Sequence, residues 1–287
     1  MERVDDMDEA EVPGEARLDG EVAVVTGGGR GIGHAAAITL ARAGASVMVT
    51  ARTESEIEET AAQIRQEGGS AQAFAADVSD WEAMANLAAE TERAFGPVDI
   101  VLANAGVIEP VGDTWEVEPQ EWAQNMAINL TGVFYTVRAF LPTMVEQRHG
   151  ILIFTSSGAA THPVAGWSAY CAAKAGLNHF VRNLTAEIDE KGLAIRTHVF
   201  YPGIVDTVMQ RQVRGKSTGA FSGADKYRSY HERGWLRPPE EPAALVWWLA
   251  TPLAAEFHGE PVSIDDPVIR RRMAEDLGLP PLRGRGE

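Results

Sequence analysis

The stretch EVAVVTGGGRGIGHAAAITLARAG, residues 21–44, joins a short apolar run to a glycine-rich turn and then to a helical pattern. The apolar run has the length and composition of a buried strand. Glycines let a backbone turn tightly, and the N-terminus of the following helix offers unpaired N–H groups and a partial positive charge. This order predicts a pyrophosphate-binding turn, although a merely flexible glycine loop stays open as the alternative at this point.

The rest of the chain repeats the alternation of strand and helix. Further strand-like runs lie at 45–50, 71–76, 98–103, 150–155, 194–200 and 260–264. Helical patterns cover 31–44, 54–69, a segment that begins at Asp80, and 119–147, in which Pro142 is a candidate kink. Such alternation predicts an α/β fold, a single-domain, doubly wound parallel sheet of about seven strands with helices on both faces.

We expect the folded domain to cover residues 18–266. Residues 1–17 are acidic and lack a basic start before an apolar run, so we expect a disordered arm and no signal peptide. Residues 267–287 are predicted to be a C-terminal tail. The glycine-rich segment 214–235 is predicted to be a long loop, either a lid or a disordered insert, within a substrate segment at about 208–236.

Composition bounds the function classes. The chain has 287 residues, of which 45% are hydrophobic, and a formal net charge of −16. An acidic surface repels phosphate backbones, so we expect no nucleic-acid partner. The longest late apolar run, 244–250, is too short to cross a bilayer, so we expect no membrane partner and a cytoplasmic protein. One cysteine excludes an intrachain disulfide, and the scattered histidines lead us to predict no metal site.

Three motifs at the ends of predicted strands resemble the short-chain dehydrogenase/reductase family. TGGGRGIG at 26–33 has the family's TGxxxGxG spacing, ADVSD at 76–80 contains the adenine-contacting aspartate position, and ANAG at 103–106 resembles NNAG. Ala103 departs from the first asparagine of that pattern. The resemblance covers about residues 18–265 and implies a Rossmann-like fold that binds a nicotinamide dinucleotide at the carboxyl ends of the strands.

YPGIVDT at 201–207 resembles the family's PGxxxT turn, which contacts the nicotinamide carboxamide, although its proline and glycine are also ordinary turn residues. The cofactor-binding residues that we predict are Gly27, Arg30, Gly31, Ile32, Gly33, Arg52, Asp77, Val78, Asn104, Ala105, Gly106, Tyr170, Lys174, Pro202, Gly203, Val205 and Thr207.

The residues after the second strand bear on the choice of cofactor. Ala51 stands where an NAD-binding member carries an aspartate, and Arg52 follows it. A carboxylate there would repel a 2′-phosphate, whereas a guanidinium binds one bidentately, and Arg30 could add a second charge. We therefore expect NADP(H) in preference to NAD(H). The alternative is that both arginines are solvent-facing residues at helix ends.

Tyr170 and Lys174 lie one helical turn apart in GWSAYCAAKAG, residues 166–176. Ser157 precedes Tyr170 by thirteen residues, the family's spacing, and Asn129 matches its fourth catalytic position. The resemblance implies that Tyr170 donates a proton, that Ser157 holds its hydroxyl, and that Asn129 anchors a water leading to Lys174. The Lys174 ammonium, together with the positive charge of the oxidised nicotinamide, would lower the pKa of the Tyr170 phenol. The alternative is a structural Tyr/Lys pair.

The predicted function is hydride transfer between NADPH and a ketone or aldehyde, as in a carbonyl reductase or alcohol dehydrogenase. A 3-oxoacyl-thioester reductase and a non-catalytic NADP-sensing regulator are the alternatives. Candidate walls of the substrate pocket are Ala159, Trp167, Met209, Phe221 and Tyr227. DTVMQRQVR resembles the sepiapterin and benzil reductase branch, and the family resemblance implies a homodimer or homotetramer, paired through helices near 119–147 and 168–190.

Overall fold

Seven parallel strands form one sheet in the computed structural model, which describes residues 13–217, 221–282 and 284. The strands are β1 (Val22–Thr26), β2 (Ser46–Ala51), β3 (Ser70–Ala75), β4 (Ile100–Ala103), β5 (His149–Thr155), β6 (Ala194–Tyr201) and β7 (Pro261–Ser263). Their spatial order is β3-β2-β1-β4-β5-β6-β7. The order reverses direction beside β1, which creates a crevice at the carboxyl ends of β1 and β4. The predicted doubly wound parallel sheet is confirmed.

Helices cover both faces of the sheet. They are α1 (Gly31–Arg42), α2 (Glu54–Gln66), α3 (Trp81–Phe95), α4 (Pro119–Met126), α5 (Gly132–Gln147), α6 (Ser168–Glu190), α7 (Val208–Gly215), α8 (Ala224–Glu232), α9 (Glu240–Leu249) and α10 (Pro267–Leu277). Alternate residues of β1 point to opposite faces: Ala23 and Val25 pack in one hydrophobic cluster, Val22 and Val24 in the other. Burial on both faces explains the continuous apolar strand sequences.

The long helical pattern at 119–147 is interrupted by a π-helical turn at Ala127–Thr131. Pro142 lies inside α5, and the helix continues past it to Gln147. The irregular turn between α4 and α5 carries Asn129, one of the predicted catalytic residues. Single π turns are often found at functional sites.

The segment 214–235, predicted to be a long loop, instead contains the end of α7 and the whole of α8. The Arg228 guanidinium donates to the carbonyl oxygens of Arg214 and Lys216 and so ties the two helices together. Gly215 ends α7, and Gly223 precedes α8. The glycines that indicated a loop therefore punctuate two short helices.

The inner ends of both predicted terminal segments have secondary structure and pack against the domain. Residues 1–12 lie outside the described residues, but Gly14–Ala16 forms a short helical turn, and Trp247 Nε1 donates to the carbonyl oxygen of buried Ala16 at 2.7 Å. At the other end, α10 buries Met273 and Leu277 against the core. No helix in the described part of the chain is long and apolar enough to cross a membrane.

Candidate active site

A cavity of about 950 Å³ opens at the carboxyl ends of the central strands. Nearly every site residue predicted from the motifs lines this cavity. The predicted site residues that line it are Gly27, Arg30, Gly31, Ile32, Arg52, Asp77, Val78, Asn104, Ala105, Gly106, Ser157, Tyr170, Lys174, Pro202, Gly203, Val205 and Thr207. Gly33 and Asn129 lie behind its wall.

The glycine turn has a shape that side chains would obstruct. Gly27 and Gly31 have φ values of +66° and +56°, in the left-handed region. A Cβ at Gly27 would lie 2.9 Å from Ala105 Cα, and one at Gly33 would lie 2.2 Å from the carbonyl oxygen of Gly27. The turn can therefore pack closely against the residues after β4 and the first turn of α1, and Gly27 and Gly31 line the cavity.

Asn104 holds three strand ends in register. Its backbone N–H donates to Thr26 Oγ1 at 2.9 Å, and its side-chain Nδ2 donates to the Thr26 carbonyl oxygen at 3.0 Å. Its Oδ1 accepts from Thr155 Oγ1 at 3.2 Å. These bonds link the ends of β1, β4 and β5, so the amide of Asn104 fixes the floor of the cavity.

Arg30 and Arg52 stand at the end of the cavity near β2. Arg30 Nη1 lies 3.6 Å from Glu56 Oε1, and Arg52 Nη1 lies 4.0 Å from Asp77 Oδ2. Both guanidinium groups are more than half exposed. Each arginine thus faces one loosely held carboxylate and retains N–H groups that can reach an incoming anion.

Asn129 is fully buried beside the loop that follows β4. Its Nδ2 donates to the Val107 carbonyl oxygen and to Asn125 Oδ1, both at 2.8 Å, and its Oδ1 accepts from the Val107 N–H at 3.1 Å. A Cβ at Gly106 would lie 2.8 Å from that Oδ1 and 3.8 Å from Lys174 Nζ. Asn129 therefore sits next to Lys174, with Gly106 between them.

Tyr170, Lys174 and Ser157 all line the cavity. Lys174 Nζ donates to the Thr155 carbonyl oxygen at 2.8 Å and lies 5.7 Å from the centre of the Tyr170 ring. Burial lowers the pKa of Lys174 to about 8. Tyr170 is also buried and hydrogen-bonds to Ser157.

The predicted lowering of the Tyr170 pKa includes the positive charge of a bound oxidised nicotinamide and stays a prediction; in the protein alone the pKa moves upwards. Burial raises the pKa of the Tyr170 phenol to about 12, and the hydrogen bond from Ser157 offsets this in part. Burial destabilises the phenolate by more than the neighbouring groups stabilise it, because the Lys174 ammonium donates to a backbone carbonyl oxygen. The Tyr170 phenol is therefore protonated at neutral pH.

An aromatic and aliphatic wall lies at the far end of the cavity. Of the predicted wall residues, Ala159, Trp167, Met209 and Tyr227 line it, whereas Phe221 stacks behind Trp167 with ring centres 5.5 Å apart. All five belong to, or pack against, a third hydrophobic cluster that is separate from the two core clusters. These side chains come from the β5–α6 loop and from α7 and α8.

The sequence matches the model of the short chain dehydrogenase family over residues 21–218. The chain belongs to this family. It is 34% identical over 71% of its length to a 2,3-dihydro-2,3-dihydroxybenzoate dehydrogenase from Bacillus subtilis, 77% of which is covered. A 3-oxoacyl-[acyl-carrier-protein] reductase from Vibrio cholerae is 32% identical over 86% of the chain and 97% of that relative.

A Beutenbergia cavernae structure, described as an NAD(P)-dependent gluconate 5-dehydrogenase with bound NADP, superposes with a TM-score of 0.77. The two sequences are 30% identical, and the match covers 87% of this chain and 97% of that one. The short-chain dehydrogenase described here is thus an NAD(P)-dependent oxidoreductase with the fold predicted from its motifs.

Sequence patterns missed some residues of this short-chain dehydrogenase that line its cavity. Glu56, on the first turn of α2, faces Arg30, and Gln210, on α7, is buried beside Val213. Glu56 follows Arg52 by four residues, and this spacing was the sequence feature that could have identified Glu56 as a site residue. Gln210 had none, because a lone glutamine on a short helix has no motif.

A group of possible metal ligands lies at the amino ends of the strands, opposite the cavity. Ligand atoms of Glu21, Asp99 and His149, at the starts of β1, β4 and β5, lie within 4.8 Å of one another. Burial and the nearby Asp99 carboxylate raise the pKa of Glu21. Spacing along the chain cannot detect this group, and the absence of a metal site stays a prediction.

Proposed function

We propose that this protein reduces the carbonyl group of a small ketone or aldehyde with hydride from NADPH, and oxidises the corresponding alcohol in reverse. The observation that carries the proposal is the meeting of Ser157, Tyr170 and Lys174 in the same cavity as the glycine turn. A proton donor beside a dinucleotide-shaped crevice is the arrangement that carbonyl reduction requires.

The residues present fit a nicotinamide dinucleotide. Gly27 and Gly31 adopt positive φ values at positions where a Cβ would meet Ala105 and Thr207, so the turn leaves room for a pyrophosphate at the N-terminus of α1. Asp77 and Val78 would hold the adenine, Lys174 the ribose, and Val205 with Thr207 the carboxamide. When bound, the cofactor supplies the hydride.

Tyr170 supplies the proton. As the carbonyl carbon gains hydride, the electron pair of the C=O bond moves to oxygen, and this oxygen takes the phenolic proton. Ser157, hydrogen-bonded to Tyr170, holds the phenol and the carbonyl oxygen together. The Lys174 ammonium stabilises the phenolate that remains. Asn129, next to Lys174, would anchor the water through which the proton is replaced.

We propose NADP(H) as the preferred cofactor. Arg30 and Arg52 both line the cavity beside Ala51, and no carboxylate stands at that strand end to receive ribose hydroxyls. The carboxylates that face these arginines, Glu56 and Asp77, hold them at 3.6 and 4.0 Å, at the limit of an ion pair. A 2′-phosphate would replace them with a shorter, charge-assisted contact.

The 3-oxoacyl-thioester alternative needs basic groups at the cavity mouth for an acidic carrier protein. Of the three candidates, Arg214 pairs with Asp206 at 3.4 Å and Lys216 pairs with Glu109 at 2.8 Å. Arg211 on α7 remains exposed. The sensor alternative does not require a buried lysine beside a buried phenol, a costly pair that serves proton transfer.

Self-association belongs to the same proposal. On α5, Phe134 is 47% exposed and packs edge-on against Phe180 of α6, with ring centres 6.3 Å apart. An apolar ring at the junction of these two helices supports the homodimer or homotetramer implied by the family resemblance.

The test compares Tyr170→Phe with Tyr135→Phe, which makes the same chemical change on α5. With NADPH and a panel of ketones, Tyr170→Phe should lower kcat/KM by roughly 10²- to 10⁴-fold, the usual contribution of a general acid. Tyr135→Phe should stay near wild type. Equal turnover by Tyr170→Phe and wild type would refute the assigned proton donor.

A further inference from the structure

Three aromatic rings are packed side by side behind the substrate end of the cavity. Trp167 stacks on Tyr227 with ring centres 5.4 Å apart and planes 21° apart, and on Phe221 at 5.5 Å and 17°. Phe221 and Tyr227 complete the set at 5.9 Å and 24°. The rings are close to parallel, and Trp167 and Tyr227 reach the cavity surface.

This aromatic wall begins at the proton donor. Trp167 meets Tyr170 edge to face, with ring centres 5.8 Å apart and planes 85° apart. A carbonyl oxygen placed against the Tyr170 hydroxyl therefore puts the body of its molecule alongside Trp167. Alkyl groups of Ile108, Ala159 and Val213 extend this surface. Flat apolar molecules gain most from such a surface.

Two polar atoms in this apolar region lack hydrogen bonds. Trp167 Nε1, a donor, and Gln210 Oε1, an acceptor, are buried and have no partner among the described residues. Both side chains line the cavity, with 7% and 8% of their residues' surface exposed. Buried polar atoms in folded proteins nearly always have partners, so such a pair at a cavity indicates groups that a ligand satisfies.

We infer that the substrate of this site is a planar aryl or fused-ring ketone that carries a hydroxyl group on its ring. The inference rests on the proposed carbonyl reduction and specifies its substrate class. The ring lies on Trp167 and Tyr227. A ring hydroxyl can accept from a donor such as Trp167 Nε1 or donate to an acceptor such as Gln210 Oε1.

Other substrate classes match this wall less well. A linear keto-sugar carries a hydroxyl group on nearly every carbon, and the hydroxyl groups that lie against the aromatic rings would lose their water. An acyl thioester would bring a flexible chain without a flat face, and two of the three basic residues considered for a carrier protein are already paired. The wall therefore favours a rigid, mostly apolar ketone with one polar group away from the carbonyl.

The experiment measures kcat/KM with NADPH for indanone and for its ring-hydroxylated derivatives, in the wild type and in Trp167→Phe. This substitution keeps an aromatic ring and removes the N–H donor. Both substrates should lose part of their stacking surface, but kcat/KM for the best hydroxyindanone should fall by roughly five- to tenfold more than that for indanone, the additional effect of one lost hydrogen bond. Trp115→Phe makes the same change at an exposed loop residue and should alter neither value.

A second variant covers the case in which Trp167→Phe folds poorly. Gln210→Leu removes the acceptor and should likewise penalise the hydroxyindanone more than indanone. Equal losses for the two substrates in both variants would overturn the hydrogen-bonding assignment, because a purely structural role for these side chains would affect all ketones alike.

Erythrulose, a linear keto-sugar, and acetoacetyl-coenzyme A separate this inference from the proposed function. We expect wild type to prefer hydroxyindanone over both. If either is reduced with the higher kcat/KM and the activity disappears in Tyr170→Phe, carbonyl reduction stands and the substrate class is wrong. If Tyr170→Phe matches wild type on every compound, the proposed function itself is wrong.

Discussion

The cofactor end and the substrate end of the cavity are built from different materials. At the cofactor end, backbone atoms of the glycine turn pack against Ala105, just after β4. Hydrogen bonds of Asn104 link three strand ends. At the substrate end, side chains from the β5–α6 loop, α7 and α8 form the wall, and exposed ion pairs such as Lys216–Glu109 hold it. Few sequences can form the closely packed cofactor end, whereas many different side chains can form the substrate end.

This difference explains what a relative can share. Backbone packing at the cofactor end requires glycine at particular positions, so family members keep it while their substrates change. The substrate end needs an apolar surface of suitable shape, which different side chains can provide. Changes at the cofactor end should therefore affect every substrate equally, and changes at the substrate end should discriminate among substrates.

The largest expected effect is at Gly33, where the cofactor end is most tightly packed. A Cβ there would lie 2.2 Å from the Gly27 carbonyl oxygen and 2.6 Å from Asn104 Nδ2. Because the first neighbour is backbone, no side-chain rotation relieves the overlap. We expect Gly33→Ala to lower the free energy of unfolding by roughly 2–3 kcal/mol, measured by urea denaturation, and to abolish NADPH binding.

Gly215→Ala is the matched control for that variant, since no described atom lies within 4 Å of the Cβ position and its φ is not positive. It should unfold at the same urea concentration as wild type. Normal stability and NADPH affinity in Gly33→Ala would show that the glycine turn tolerates movement. This result would contradict the claim that the cofactor end is more tightly constrained than the substrate end.

The next effect concerns the arginines, where the cofactor end changes from backbone to exposed side chains. Arg52→Ala should weaken NADP binding by roughly 10- to 100-fold, the value of a charged hydrogen bond, and leave NAD binding nearly unchanged. Calorimetric titration of both cofactors measures the ratio. Arg93→Ala, an exposed arginine on α3, serves as the control. Equal weakening of NADP and NAD would contradict the 2′-phosphate assignment.

Prediction from sequence succeeded where backbone chemistry decides. Each strand end lies within two residues of its predicted position, and the glycine turn falls between β1 and α1 as expected. Buried parallel strands and helix starts impose local patterns that a single sequence displays. The site residues on those strand ends follow, because the sheet topology brings them together.

Prediction failed where tertiary packing decides. The composition of 214–235 indicated a loop, yet α8 forms there because Arg228 satisfies carbonyl oxygens at the end of α7. The segment from residue 267 appeared to be a tail, but Met273 and Leu277 find a place against the core. The pKa of Tyr170 depends on burial by distant segments, which no spacing along the chain reports.

The smallest expected effect lies at the junction of the two ends, at Lys174. Its pKa of about 8 is low for a lysine because burial disfavours the ammonium. The proposed mechanism uses this positive charge to stabilise the Tyr170 phenolate. As pH rises through about 8, Lys174 loses its proton, and kcat for ketone reduction should fall by at most about tenfold per pH unit, after a plateau at lower pH.

Lys174→Arg separates the charge from the fold. A guanidinium keeps its proton throughout this range, so the residual activity of the variant should show no decline near pH 8. Because Lys174 touches both the dinucleotide crevice and Tyr170, indanone and erythrulose should show the same decline in wild type. A decline that differs between the substrates would place the titrating group at the substrate end, and a flat wild-type profile up to pH 10 would remove Lys174 from the proton path.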